Sequence, residues 1–253
     1  MTAPWEVHPK SAFDLLLDAV VLIPGLLQRA DQIIGLEPTV ARRLMAQDLL
    51  HNCVNIESHL NQWHAAISRT DPNSSNPATP YWAHPPDSSA VEVQQIPFAE
   101  TLAFPDGLTA ISFIYFWTAQ LLFFPCVERL YWTIFEPVVD GPFPQTMPVL
   151  PASLQINPLR YSLKEVREVA SNICRSLDFA LARTVQPDML AAPLHVVSQF
   201  FQHVAGGGNG DVFGDGRLEL MWCEAFRVRL AAKGREIQEV VQSKQWRDVT
   251  SFQ

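Results

Sequence analysis

The chain has 253 residues, of which 48% are hydrophobic and 17% are charged. This composition is typical of a globular protein with a sizeable core, and it excludes an intrinsically disordered chain. The net charge of −8 gives no sign of the basic face with which a free-standing nucleic-acid-binding protein neutralises phosphates, so we expect no direct binding of nucleic acid.

The cysteines are widely separated, and none has the CxxC spacing of a zinc site. Each falls inside an apolar helical pattern, which is typical of buried, reduced thiols. They are Cys53, Cys126, Cys174 and Cys223. The first apolar stretch is interrupted by Asp14 and Asp18, so it does not read as a secretion signal. We expect an intracellular protein with no bound metal.

Helical periodicity begins near the N-terminus. Residues 12–36 form two apolar runs separated by Pro24-Gly25, where a proline should kink or split the helix. Residues 39–68 form the clearest amphipathic helix, because apolar side chains recur at spacings of three and four. These side chains are Leu49, Cys53, Ile56, Leu60, Trp63 and Ile67.

The segment from Gly107 to Val127 carries no charge and is long enough to span a bilayer. It contains Thr109, Ser112, Thr118 and Gln120, and amphipathic helices flank it in the sequence. We therefore predict a helix from about Leu108 to Phe135 that is buried by its neighbours, and no membrane span.

Three further helices are predicted after this segment. Ser162 and Glu165 in the sequence SLKE form a capping box that opens a helix running to about Arg183. A shorter helix covers residues 189–203, and a last long helix covers residues 217–242. Together the elements predict an all-α protein: one domain over residues 1–253, built as an irregular bundle of about six to eight helices. The predicted loops are proline-rich at 69–98 and 136–160 and glycine-rich at 205–216.

The glycine-rich loop, GGGNGDVFGDGRLE, has the composition of a ligand-binding loop. As an EF-hand it would offer only Asp211 and Asp215, too few ligands for a calcium cage. It has no lysine for a phosphate-binding loop, and a helix rather than a strand precedes it, unlike a dinucleotide fingerprint. We interpret it as a connection between helices, with Asp215 as the N-cap of the last one.

Candidate acid–base residues lie on the helix over residues 39–68. Glu57, Asn61 and His64 are spaced i, i+4 and i+7 along one edge of its apolar face. With His59 and Glu128, the residues Glu57 and His64 are the candidate catalytic residues of an enzyme without a cofactor. The polar edge of an amphipathic helix gives the same pattern, and that alternative remains open.

Candidate ligand-binding residues come from the aromatic helix. Tyr115, Trp117 and Phe124 could line an apolar pocket, although a plain hydrophobic core gives the same run of aromatic residues. His195 begins a polar row with Gln199 and His203 on the helix over 189–203. This row could face a ligand or solvent, and its two histidines lie too far apart along the helix to share one metal ion.

Several segments, in order, resemble the C-terminal helical domain of fungal zinc binuclear-cluster transcription factors. The resemblance covers roughly residues 12–245 and rests on the order of the segments, which are mostly packing sequences. They are LIPGLLQRADQI, FPDGLTAISFIYFWTAQLL, SLKEVREVASNICRSLDFALA, AAPLHVVSQFF and ELMWCEAF. The family's zinc-cluster module has six cysteines, whereas no cysteine precedes Cys53 here, so the DNA-reading module is absent from this sequence.

The resemblance implies a regulatory domain that is linked to fungal secondary metabolism. Such a domain would act through a protein partner or a small apolar molecule, and it could form a homodimer. A regulator would be nuclear. The alternative is a cofactor-free cyclase or isomerase that acts on an apolar intermediate in an aromatic pocket of the same fold. Such catalysis depends on shape and water exclusion and leaves little sequence motif. An enzyme would be cytoplasmic.

Overall fold

A computed structural model describes residues 9–68, 80–84, 97–98, 100–141, 148–184, 186–206 and 216–243. Within these ranges the chain forms seven α-helices and one small antiparallel pair of strands, which confirms the all-α prediction. The helices are α1 (Ala12–Val20), α2 (Ile23–Ile34), α3 (Val40–Ser68), α4 (Gly107–Phe135), α5 (Leu163–Arg183), α6 (Ala191–Gly206) and α7 (Arg217–Ser243). The strands are β1 (Trp82–His84) and β2 (Thr101–Ala103).

The predicted loops contain short regular elements that their composition hides. Strand β1 lies inside the segment predicted as a proline-rich loop, and its Ala83 pairs with Leu102 of β2. Short 3-10 helices occupy Ala152–Leu154, Pro158–Tyr161 and Pro187–Leu190. The described residues do not include 69–79, 85–96, 142–147 or 207–215. Most of the predicted glycine-rich loop, with the predicted N-cap Asp215, therefore lies outside them.

The chain divides into two compact units. Unit 1 consists of Met1–Pro80 and Tyr115–Val169, and unit 2 consists of Tyr81–Ile114 and Ala170–Gln253. Helices α4 and α5 each contribute residues to both units. The division falls inside these two helices, where the sequence contains no linker. Periodicity and composition alone therefore do not predict it.

The N-terminal helices of unit 1 begin and end where the local chemistry predicts. Ser11 and Asp14 form a capping box at the start of α1, with the Asp14 carboxylate accepting from the Ser11 amide at 2.9 Å. Helix α1 ends at Val20, and α2 begins at Ile23 with Pro24 in its first turn. A proline there loses no helical hydrogen bond, so the predicted break occurs just before Pro24.

A buried arginine joins the end of α2 to the end of α4 within unit 1. Arg42 on α3 is only 5% exposed. Its guanidinium donates to the main-chain oxygens of Ile33 (3.1 Å) and Ile34 (2.8 Å) and to the Glu136 carboxylate (2.5 Å). The last carbonyls of a helix have no partner within the helix. Arg42 supplies a donor to Ile34 and a second donor to Ile33, which also accepts from the Leu36 amide at 3.1 Å.

Helix α4 is the long uncharged helix of the sequence. It meets the length and hydropathy criteria for a membrane span, and 72% of its most apolar 18-residue window is buried within the protein. Its core-facing residues include Phe123 and Leu130 in unit 1, both fully buried. This burial agrees with the core position that its composition predicts.

In unit 2, helices α6 and α7 pack closely together. Phe201 of α6 and Phe226 of α7 are fully buried. Gly216, just before α7, has a φ of +72°, a conformation that favours glycine. A Cβ atom at this position would lie 3.2 Å from the Phe201 carbonyl oxygen and from Val204 Cγ1. Gly216 therefore allows the chain to turn tightly against α6 and enter α7.

We expect Arg42→Ala to lower the free energy of unfolding by about 2–4 kcal/mol, because it removes charge-assisted hydrogen bonds from buried carbonyls. Chemical denaturation monitored by circular dichroism measures this change. Arg227→Ala is the matched control, since Arg227 forms an exposed i,i+3 pair with Glu224 and should change stability by less than about 1 kcal/mol. Equal losses in the two variants would contradict the role given to Arg42.

Candidate functional site

A buried carboxylate lies at the centre of the candidate site in unit 1. Glu57 on α3 is only 8% exposed, because it follows Ile56 on the side of the helix that carries Cys53 and Leu60 into the core. An ionised side chain at such a position requires a charged or hydrogen-bonding partner. The partners of Glu57 come from a segment about a hundred residues further along the chain.

Tyr161 supplies the first partner. Its hydroxyl donates to Glu57 Oε2 at 2.5 Å, within buried surroundings. Tyr161 ends the 3-10 helix Pro158–Tyr161, whose N-cap Asn157 accepts from the Leu159 amide. The short helix therefore fixes the direction from which the phenol reaches the carboxylate.

Arg160 supplies the second partner. Its Nη2 lies 3.0 Å from Glu57 Oε1 and donates to Asn61 Oδ1 at 3.1 Å. Within the described part of the chain, Glu57 Oε1 has no well-aligned hydrogen bond, so the attraction of Arg160 for this oxygen is mainly that of an ion pair. The Arg160 side chain is 46% exposed, and it covers the carboxylate on the side facing solvent.

The surroundings hold the phenol in its protonated form. Burial and the hydrogen bond to the Glu57 carboxylate raise the pKa of Tyr161 above its ordinary value. The ring of Phe124 meets the Tyr161 ring edge to face, with centroids 5.2 Å apart. Helix α4 therefore contributes an apolar wall to the site, and the phenol remains a donor to the carboxylate throughout the neutral range.

Two thiols lie beside this cluster. The hydrogen bond with Cys126 and burial raise the pKa of Cys53, and the negative charge of Glu57 adds to the effect. Both sulfur atoms belong to buried residues. A buried thiol with a raised pKa is a poor nucleophile, so Cys53 acts as a packing residue in the cluster. Its hydrogen bond lowers the pKa of the buried Cys126 thiol.

The candidate catalytic residues do not all come together. His64 is half-buried and stacks on Phe116 at a centroid distance of 5.3 Å, and burial lowers its pKa. His59 is exposed on α3, and Glu128 is half-buried on α4. Among the described contacts of Glu57, the partners are Tyr161 and Arg160, and neither His59 nor Glu128 takes part. Their catalytic roles stay predictions.

The candidate ligand-binding residues occupy different surroundings. Tyr115 meets Phe13 edge to face at 5.5 Å, Trp117 is buried, and Phe124 packs on Tyr161. His195 is exposed on α6 in unit 2. Of this group, Phe124 contacts the cluster around Glu57 through the Tyr161 ring.

The sequence provides no signal for the two partners of Glu57. Tyr161 is 104 positions away from it, between the loop predicted over 136–160 and the helix predicted to open at Ser162, and no periodic pattern connects them. An apolar helical face that carries a lone carboxylate does predict that some partner exists, because an unpaired buried charge is costly. The identity of that partner depends on tertiary packing.

An apolar groove lies elsewhere in unit 1, between α2 and α3. Its volume is about 470 Å³. The lining residues are Arg29, Gln32, Ile33, Leu44, Met45 and Asp48. Leu44 and Met45 are 59% and 41% exposed, and neighbouring exposed apolar side chains beside a groove can form part of a binding surface.

A second groove, of about 490 Å³, lies in unit 2 along the C-terminal part of α6. Gln199, Gln202, His203 and Gly206 line it. Two of these, Gln199 and His203, belong to the polar row predicted from the sequence. His195, the candidate ligand-binding residue of that row, is not among the lining residues.

Comparison with models of known protein families, with curated proteins and with solved structures gives no match for this chain. Within the described residues, no group of three or more histidine, cysteine, aspartate or glutamate side chains is arranged to hold a metal ion. Function is therefore inferred from the arrangement of the residues themselves.

We expect Tyr161→Phe to lower the free energy of unfolding by about 2–3 kcal/mol, because it leaves a buried carboxylate oxygen without a donor. Combining it with Glu57→Gln in a double-mutant cycle should give a coupling energy of about 1–3 kcal/mol. Denaturant titration measures both quantities. Tyr131→Phe, at a half-buried tyrosine of α4, should change stability by less than about 0.5 kcal/mol. A coupling energy near zero would contradict the pairing.

The raised pKa of Tyr161 predicts a pH dependence. The unfolded phenol loses its proton near its ordinary value of 10.0, whereas the folded phenol retains it. Above pH 10 the unfolded state therefore binds fewer protons, and stability falls by up to about 1.4 kcal/mol per pH unit more in the wild type than in Tyr161→Phe. Below pH 9 the two slopes should coincide. Parallel slopes up to pH 11 would contradict this prediction.

Proposed function

We propose that the chain is a helical regulatory domain that acts through contacts with a protein partner or a small apolar molecule. The proposal begins from the segments that resemble the regulatory region of fungal zinc binuclear-cluster transcription factors. Its main support in the structure is the groove between α2 and α3, where large apolar side chains face solvent. Such surfaces are typical of sites where a protein binds a partner or an apolar ligand.

The chemistry of the groove fits an apolar occupant with a polar end. Ile33, Leu44 and Met45 provide an apolar floor, and methionine adapts its shape to different partners. Arg29 and Asp48 face each other across the rim at 3.8 Å, both largely exposed. An exposed pair at this distance contributes little to stability, so either charge is available to a bound molecule at small cost to the fold.

The cluster around Glu57 supports the same proposal. Its carboxylate accepts a hydrogen bond from Tyr161 and forms an ion pair with Arg160. These two interactions hold the segment before α5 against α3. A general base needs to reach the proton that it removes. Groups that are occupied in stabilising the fold are less suited to that role than groups lining an open cavity.

A second candidate function is catalysis by a cofactor-free cyclase or isomerase. The observation that favours it is the short hydrogen bond between Tyr161 and Glu57, because a phenol and a buried carboxylate form an acid–base pair. In this alternative Arg160 would move aside to admit an apolar intermediate. Glu57 would then remove a proton from it, while Phe124 helped to exclude water.

The regulatory proposal predicts that the purified chain binds no DNA with sequence specificity. Its net charge of −8 opposes association with phosphates. Selection from a random duplex library at about 100 mM salt, followed by mobility-shift titration, measures this property. Enrichment of one sequence, with a dissociation constant of about 10⁻⁸ M or tighter, would overturn the expectation.

If the groove between α2 and α3 is the binding site, a charge placed in it should impair function. Leu44→Asp places a charge on the apolar floor and should weaken partner or ligand contact by about tenfold or more. In a strain whose own copy is deleted, this variant should fail to restore the transcripts that depend on the gene. Leu108→Asp is the matched control, because Leu108 is similarly exposed and lies outside the groove in the first turn of α4. Full restoration by Leu44→Asp would exclude the groove.

A further inference from the structure

All four cysteines of the chain are buried, and they form two pairs that are distant in sequence. Cys174 of α5 and Cys223 of α7 belong to unit 2, with their sulfur atoms 3.9 Å apart. Cys53 of α3 and Cys126 of α4 belong to unit 1, where their thiols are hydrogen-bonded. Neither the resemblance nor the proposed function uses the pair in unit 2.

The pair in unit 2 lies where two helices run side by side. One turn beyond Cys174, Asp178 accepts from Arg229 of α7 at 2.5 Å, so α5 and α7 are held together next to the sulfurs. The two sulfur atoms are already in van der Waals contact at 3.9 Å. A disulfide forms between cysteines whose Cα atoms are about 4.4–6.8 Å apart.

The thiols are held together before any reaction. Both residues are 0% exposed, and the Ser198 hydroxyl of α6 also contacts the Cys223 thiol. Forming an S–S bond would require the sulfurs to approach by about 2 Å, a movement that side-chain rotation can supply. Because the loop between the cysteines is already closed by the fold, the ordering cost of bringing them together is met in advance.

We propose that Cys174 and Cys223 form an oxidative modification site, at which an intramolecular disulfide links α5 to α7. The oxidant is a low-molecular-weight disulfide such as oxidised glutathione. The Cys174–Cys223 S–S bond forms while two S–H bonds and the S–S bond of the oxidant break. Two electrons and two protons pass to the oxidant, which leaves as two thiols.

Burial determines the rate and the specificity of this modification. Burial and the neighbouring thiol raise the pKa of Cys174, whereas the hydrogen bond with Cys174 lowers the pKa of Cys223. Because both residues are fully buried, oxidised glutathione reaches either sulfur only when the structure opens locally. Once one sulfur carries a mixed disulfide, the other is its nearest nucleophile. Resolution to the intramolecular disulfide therefore outcompetes accumulation of glutathione on either cysteine.

The test uses the full chain with Cys53→Ala and Cys126→Ala, so that any disulfide detected within the chain involves Cys174 and Cys223. The protein is equilibrated in buffers with increasing ratios of oxidised to reduced glutathione, quenched with acid, alkylated and mapped by mass spectrometry. The expected product has lost two hydrogens, contains a peptide linking Cys174 to Cys223, and carries no glutathione. Its Tm should rise by roughly 5–15 °C on oxidation.

Cys174→Ser in the same background is the control. It retains Cys223 but cannot form the linkage, so its Tm should not rise in any of the buffers. The proposal is overturned if the two-cysteine chain remains reduced at every ratio, or if it accumulates glutathione adducts instead of the linked peptide. Since no DNA, partner or substrate enters the assay, its outcome is independent of the proposed function.

Discussion

One buried charge determines how unit 1 is organised. An ionised Glu57 in the core requires compensation, and the chain provides it by bringing Tyr161 and Arg160 across from a segment about a hundred residues away. The short 3-10 helix Pro158–Tyr161 is thereby held against α3. Arg42 follows the same rule at the other end of α3, where its guanidinium satisfies the final carbonyls of α2. In both places a polar group inside an apolar helix face connects distant parts of the chain.

The sequence predicts the helices well because their signals are local. The start of α5 after Ser162, the break before Pro24 and the apolar spacing along α3 each depend on a few neighbouring residues. The partners of Glu57 and the pairing of Cys174 with Cys223 depend on tertiary packing, which helical periodicity does not predict. The same holds for the groove, since Leu44 and Met45 resemble ordinary core residues in the sequence. The candidate site is therefore predicted only in part, through Glu57 and Phe124.

The two functional proposals place different demands on the same residues. A regulator needs surfaces that are open in the folded protein, and the exposed floor of Leu44 and Met45 meets that need. A cyclase needs its acid and base to meet an enclosed substrate, so the pair of Glu57 and Tyr161 would have to open to one. Opening would separate the buried Glu57 carboxylate from Arg160, so catalysis would lower the stability of the fold. Binding of a partner at the groove leaves this ion pair in place.

We propose that the chain acts by regulating other genes. Deleting the gene in its source organism, and measuring transcripts of the neighbouring genes and extracted metabolites from one culture, tests it most directly. We expect those transcripts to fall and every metabolite that depends on them to decrease together. Normal transcription with accumulation of a single uncyclised intermediate would contradict the claim and identify the chain as an enzyme.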